Sequence, residues 1–272
     1  SESKFADMFL PLEKIFPDGK VTLDELAIST PTNPILPLIN YTFADGSVKT
    51  HWKTFMPYQV EFDVNSPQVK KLFTSWVDKF AESGVSFIRL DAIHHVIKKR
   101  GTNHLMLSET RKIIKWFTEL IQSRKMEVVC ETFATGSDRD FFNSIGAYTY
   151  DFYLPGLTFH AIFSKDSQYL KKWLINSKDD NKFTILGTHD GIKIGSGFMQ
   201  EVLPSDQEEF TRKKLFENAG ESTKKASGVG ANNLDAREIN ASLFEAVFRD
   251  QKAWLVAHAI HLFSPGIPQV YY

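Results

Sequence analysis

The chain has 272 residues, 42% of them hydrophobic, and its 32 Lys/Arg against 33 Asp/Glu leave a formal net charge of −1. That is apolar material for one large domain, near the ~250 residues of a single α/β barrel. Balanced charge gives no electrostatic basis for nucleic acid or an anionic membrane as partner. The one cysteine, Cys130, excludes an internal disulfide, and no Cys/His spacing fits a structural zinc site, so a reducing, cytoplasmic setting is expected.

Residues 1–58 carry no sustained period. They are rich in Pro, Asn and Thr, notably over 30–37, and read as a loop-rich segment. The opening Ser-Glu-Ser-Lys-Phe is neither an initiator methionine nor a signal peptide. The chain stops at Val270-Tyr271-Tyr272, inside an expected core strand, and is therefore expected to be a fragment.

The spacing predicts a helix over 65–83. Asn65 or Ser66 caps it, Pro67 suits its first position, and Val69, Leu72, Phe73, Trp76, Val77 and Phe80 share one face. Gly84 ends it, and 85–90 reads as a buried strand ending at Asp91. The unit repeats: a helix from Ser108 buries Ile113, Ile114, Phe117, Leu120 and Ile121, and a strand over 126–130 ends at Glu131. A further strand is expected over 148–154, and Leu170, Trp173 and Leu174 mark another helical face. A strand over 183–186 leads into Gly187-Thr188-His189-Asp190.

The stretch 191–240 is a long Gly/Asn-rich insertion with one helix from Ser205, where Glu208 completes a capping box. A helix around 241–263 and a strand over 268–272 close the chain; its apolar run Ala253–Phe263, broken by His258 and His261, is too short to span a bilayer. The expected domains are the loop-rich 1–58, a catalytic 59–190, the insertion 191–240 and a closing 241–272. Alternating helices and apolar strands imply an α/β fold, either a barrel or a doubly wound sheet.

Asp91, Glu131 and Asp190 each stand just past the end of an expected strand. In a parallel barrel such positions converge on the catalytic face, and strands four, five and seven would carry these three. Glycoside chemistry has a use for them. In a retaining mechanism one carboxylate attacks the anomeric carbon while another protonates the leaving oxygen. Arg89, two residues before Asp91 on the same side of the strand, favours an ionised Asp91, and the apolar approach Val128-Val129-Cys130 favours a protonated Glu131. The ordinary alternatives are a strand-end Asp that caps a helix and an Arg89–Asp91 pair that is merely structural.

Other chemistry is weighed the same way. Adjacent histidines, His94 and His95, point to opposite sides of an extended chain, which argues against a shared metal. His258 and His261 are expected to pack, Cys130 to be a small core residue, and Lys98-Lys99-Arg100 to be a solvated loop.

Arg89-Leu90-Asp91-Ala92, Glu131, Thr188-His189-Asp190 and Gly266-Ile267-Pro268-Gln269-Val270-Tyr271-Tyr272 resemble, in order, sequence regions of the α-amylase superfamily, glycoside hydrolase family 13. Phe16-Pro17-Asp18-Gly19, Gln59-Val60-Glu61-Phe62-Asp63, Lys98 with Gly101-Thr102, and Asn233-Leu234-Asp235 resemble its sucrose phosphorylase subfamily. The resemblance implies a partial (β/α)8 barrel, strands four to eight, with 1–58 as a domain-B-like segment. Strands one to three and a C-terminal β domain would lie outside the chain. It implies Asp91 as nucleophile, Glu131 as general acid/base and Asp190 as transition-state stabiliser, with Arg89 and His189 at the glucosyl subsite and Phe55 as an apolar wall. It implies no metal and no cofactor, with inorganic phosphate as co-substrate and an α-glucoside as partner.

The departures from the subfamily fall in the acceptor half. Asn33 stands where an arginine is usual, His95 where an aromatic is, and Phe133 where histidine is common. Beyond Asp235, Arg237 replaces a tyrosine and Glu238 a glutamine. A bidentate Arg237 suits phosphate or another anionic acceptor. The expected function is an α-glucosyl phosphorylase with its acceptor open. A hydrolase or transglucosidase on the same scaffold, and a non-catalytic fragment, are the alternatives.

Overall fold

The structure, a computed structural model, describes residues 5–29, 36–54, 58–134, 136–194, 198–219 and 238–271. It divides into two compact units, Ser1–Glu131 and Thr132–Tyr272.

The first unit opens with two short helices, α1 (Leu12–Ile15) and α2 (Leu23–Ser29), and an antiparallel hairpin of β1 (Leu38–Thr42) and β2 (Val48–Trp52). This stretch has its own apolar centre, with Leu10, Leu12, Ile15, Phe16, Leu26 and Trp52 packed together. Helix α3 (Pro67–Glu82) has Ser66 as N-cap and Pro67 at its first position, where the missing N–H costs nothing. Its buried stripe, Val69 and Val77, is narrower than expected. Trp76 and Phe80 lie at its edge and remain exposed.

After Gly84, β3 (Phe87–Leu90) pairs in parallel with β4 (Glu127–Cys130), and α4 (Ser108–Gln122) connects them. Helix α4 buries Ile113, Ile114, Phe117 and Ile121 at helical spacing. In the β3–β4 register Leu90 faces Cys130, so Asp91 and Glu131 leave the sheet side by side.

The second unit contains α5 (Gly136–Ser144), β5 (Tyr148–Asp151), α6 (Tyr153–Ser164), α7 (Gln168–Asn176) and β6 (Lys182–Thr184). After these come the two-residue β7 (Ile192–Lys193), α8 (Ser205–Asn218), β8 (Glu238–Ile239), α9 (Leu243–Ala246), α10 (Gln251–Phe263) and β9 (Ile267–Pro268). Strand β6 lies between β5 and β9, parallel to both, while β7 and β8 form an antiparallel pair. His261 is buried as expected and lies 2.8 Å from the Thr184 carbonyl.

Several expectations need correction. The strand expected over 148–154 stops at Asp151, whose carboxylate accepts the Leu154 N–H at 3.0 Å and opens α6, a helix buried all round through its first two turns. The helix expected around 241–263 is two helices. Phe248 and Arg249 at positive φ interrupt it, and Asp250 caps the second by accepting from Lys252 and Ala253 N–H at 2.8 and 3.1 Å. Pro204, not Ser205, is the N-cap of α8. The capping box forms instead at Ser242 and Glu245, ahead of α9.

Lys98 is not on a solvated loop. Its side chain is 2% exposed, ion-paired with Glu61 at 3.3 Å and donating to the His95 carbonyl at 2.6 Å. Lys99 and Arg100 do face solvent, paired with Glu109 and with Asp18 and Glu25. Among the described residues no helix is long and apolar enough to cross a membrane.

Candidate active site

Arg89, Asp91, His95 and Glu131 belong to the first unit. Arg89 spans both acids: Nη1 lies 2.5 Å from Asp91 Oδ1 and Nη2 lies 2.9 Å from Glu131 Oε2. A guanidinium suits this task because its planar fork offers separate N–H groups to separate oxygens. Glu131 is further held by the Ala92 backbone N–H at 3.1 Å. Ala92 adopts a left-handed conformation, φ 43°, which aims that N–H at the carboxylate directly after Asp91.

Glu131 and Asp91 also share a hydrogen bond. Burial pushes Glu131 above the usual carboxylate range, helped by the hydrogen bond and the negative charge of Asp91. The Ala92 N–H and Arg89 pull the other way. The pair therefore holds a proton more readily than an isolated glutamate does, and that proton belongs to the pair.

His94 and His95 do not point apart. They lie in a short 3-10 turn, Ile93–His95, with ring centroids 3.9 Å from each other, and His94 Nδ1 is 3.1 Å from the Glu131 carbonyl. Cys130 is fully buried and its thiol is pushed up to about 12 by burial, which makes it a core residue and no nucleophile.

Phe133, His189 and Asp190 belong to the second unit. The turn 188–191 is closed twice, by Thr188 N–H to the Gly191 carbonyl at 3.0 Å and Gly191 N–H to the Thr188 carbonyl at 2.9 Å. Asp190 N–H donates to Thr188 Oγ1 at 3.2 Å. His189 Nε2 is 3.4 Å from Asp190 Oδ1, and Lys193 Nζ is 3.6 Å from Asp190 Oδ2. The Phe133 ring packs on Phe152, centroids 4.9 Å apart.

Asn33, Phe55, Asp235 and Arg237 lie outside the described residues, and Glu238 is placed by its backbone alone, opposite Lys193 in the β7–β8 pair. Lys193 was not singled out by the sequence. A lone lysine between Ile192 and Ile194, three residues past Asp190, was the available signal.

Parallel strands joined through helices, with Asp91 and Glu131 just beyond the ends of two of them, form an α/β fold that matches part of a (β/α)8 barrel. Within that class, the likeness is to sucrose phosphorylases along the whole chain. The chain is 35% identical to the sucrose phosphorylase of Agrobacterium vitis and 32% identical to that of Bifidobacterium adolescentis, each alignment covering 100% of the chain. Its structure matches that of sucrose 6F-phosphate phosphorylase from Thermoanaerobacter thermosaccharolyticum with a TM-score of 0.87 and 28% identity, again over 100% of the chain. The chain spans 55–56% of the length of these three relatives. No family model matches it.

Proposed function

We propose that the chain is the catalytic portion of a retaining α-glucosyl phosphorylase. Asp91 attacks the anomeric carbon of an α-glucoside while Glu131 gives its proton to the leaving oxygen, forming a β-glucosyl ester on Asp91. Inorganic phosphate then attacks that carbon, Glu131 takes its proton back, and the ester bond breaks to give α-glucose 1-phosphate. Asp190 takes the part of transition-state stabiliser, with Arg89 and His189 at the glucosyl subsite. The chemistry calls for no metal or cofactor beyond phosphate as co-substrate.

The observation that carries this reading is the Arg89 fork, whose two Nη atoms hold the Asp91 and Glu131 carboxyl groups together at 2.5 and 2.9 Å. Inverting enzymes keep their carboxyl groups roughly 6.5–9.5 Å apart to admit a water, whereas retaining pairs stand about 5–5.5 Å apart. Two acids held on one guanidinium fit the closer, retaining spacing. The raised Glu131 supplies the general acid, and the Arg89 contact gives Asp91 a compensating positive charge.

The relatives differ in substrate, sucrose for two and sucrose 6F-phosphate for the third. The residues that set the acceptor here are proposed to be Asn33, His95, Phe133, Arg237 and Glu238, with Asp235 as a further substrate-binding residue and Phe55 as a wall of the glucosyl side. A cytoplasmic location goes with a chain whose one cysteine is unpaired. The test is incubation of the full-length protein with α-glucose 1-phosphate and, separately, fructose, fructose 6-phosphate, glycerol and glycerate. Phosphate release that depends on one acceptor supports the reading. Release with water alone, together with α-glucoside hydrolysis that ignores added phosphate, replaces it with a hydrolase.

A further inference from the structure

Lys193 is a charged side chain placed where charge is costly. It sits in β7 between buried Ile192 and Ile194, and its side chain is only 7% exposed. A buried ammonium is tolerated when a carboxylate and a polarisable surface compensate it. Asp190 Oδ2 lies 3.6 Å from Nζ, and the rings of Phe152 and Phe133 lie with their centroids 5.6 and 5.9 Å away. Ring faces attract a cation and keep water off it, so the attraction to Asp190 is less screened than at an open surface.

The two partners differ in exposure. The Asp190 side chain is 36% exposed, so the carboxylate faces outward and the ammonium stands behind it. Each carboxylate oxygen has its own neighbour, His189 at Oδ1 and Lys193 at Oδ2. The backbone of Asp190 is already fixed by the doubly closed turn, and its side-chain rotation is what these two contacts restrain.

We propose that Lys193 is a positioning residue for Asp190, its buried ammonium holding the Asp190 carboxylate in the orientation used for glucosyl transfer. This rests on the reading of Asp190 as the transition-state acid. An ammonium buried behind the carboxylate acts through it, on the glucosyl-transfer step, whichever acceptor follows.

The experiment compares the full-length protein with its Lys193→Met and Lys193→Arg variants on α-glucosyl fluoride, with either inorganic phosphate or water as acceptor. A carboxylate displaced by an ångström costs on the order of 100-fold in rate. Lys193→Met is expected to lower kcat by that order with phosphate and water alike, with the donor KM moving less. Lys193→Arg, which keeps the charge, should recover part of the loss. If Lys193→Met does not fold, Lys193→Gln, neutral but still a donor, takes its place in the comparison. A kcat within twofold of the unsubstituted protein, or a loss confined to phosphate, overturns the inference and leaves the functional reading intact. No turnover of the fluoride by the unsubstituted protein overturns both.

Discussion

Arg89 is bound to Glu131 by a charge-assisted contact of 2.9 Å that runs between neighbouring strand ends, while the other arm of the same guanidinium meets Asp91. One cation thus neutralises two acids that share a proton. Arg89→Met should lower the kcat/KM of the proposed reaction, measured on the full-length protein, by at least ~100-fold through misplaced carboxylates. It should also move the alkaline limb of the pH profile upward, because Arg89 is among the influences that pull Glu131 down. Reduced activity with an unmoved alkaline limb would count against Glu131 as the acid that limb reports.

Glu131 also makes stability depend on pH. Its folded value is raised, so between the ordinary glutamate range and that raised value the folded state binds more protons than the unfolded one. Stability therefore falls as pH rises through this window, and at neutral pH the charge on Glu131 weighs against the fold. Glu131→Gln removes that cost and keeps an oxygen for the Ala92 N–H. It should abolish activity and stabilise the protein by about 0.5–2 kcal/mol at pH 7. Denaturant midpoints measured at pH 3.5 and pH 7 check this, with the gain expected only at the higher pH.

His104 works in the opposite sense. It is buried edge-on to Trp52, ring centroids 5.3 Å apart, and burial with the nearby Lys98 charge lowers it from 6.5 to about 4. Below pH 6.5 the unfolded chain takes up a proton that the folded chain refuses, so stability is lost as pH falls from 6.5 to about 4. At 1.36 kcal/mol per pH unit the loss approaches about 3 kcal/mol. His104→Asn, which tolerates the left-handed φ of 62° at this position, should flatten that acid limb in a pH series of denaturation curves. An unchanged slope would place the acid sensitivity elsewhere.

What the sequence disclosed follows from what is local. Asp91 and Glu131 were legible because β3 and β4 are apolar runs that end at them, and equal strand ends in a parallel pair put their next residues side by side. Lys98 was misread because the carboxylate that pairs with its buried ammonium, Glu61, lies far off in the sequence, where no local pattern announces it. Lys193 was passed over for the same reason: its surroundings, Phe133 and Phe152, come from other parts of the chain. The break at 247–250 was hidden by a helical period running through it, although Ser242–Glu245 and Asp250 carried two separate cap signals.

Gly191 ties the Asp190 turn to β8, and two separable costs attend its replacement. Its φ is +110°, and a Cβ there would stand 2.7 Å from the Ile239 carbonyl oxygen and 2.9 Å from its carbon, both backbone atoms that cannot swing aside. Gly84 makes the control: its φ is +76°, but an added Cβ meets nothing within 4 Å. Gly84→Ala should therefore cost about 1 kcal/mol from backbone conformation alone and leave activity untouched. Gly191→Ala carries a strain of about 1–3 kcal/mol before any collision. The collision is relieved only by moving the turn away from Ile239, which displaces Asp190 and Lys193 together. Its kcat should fall on the order of 100-fold, out of proportion to its loss of stability, when both variants are measured by denaturation and by turnover of the full-length protein. Activity falling only as far as stability does in both would mean that the turn needs no such precision.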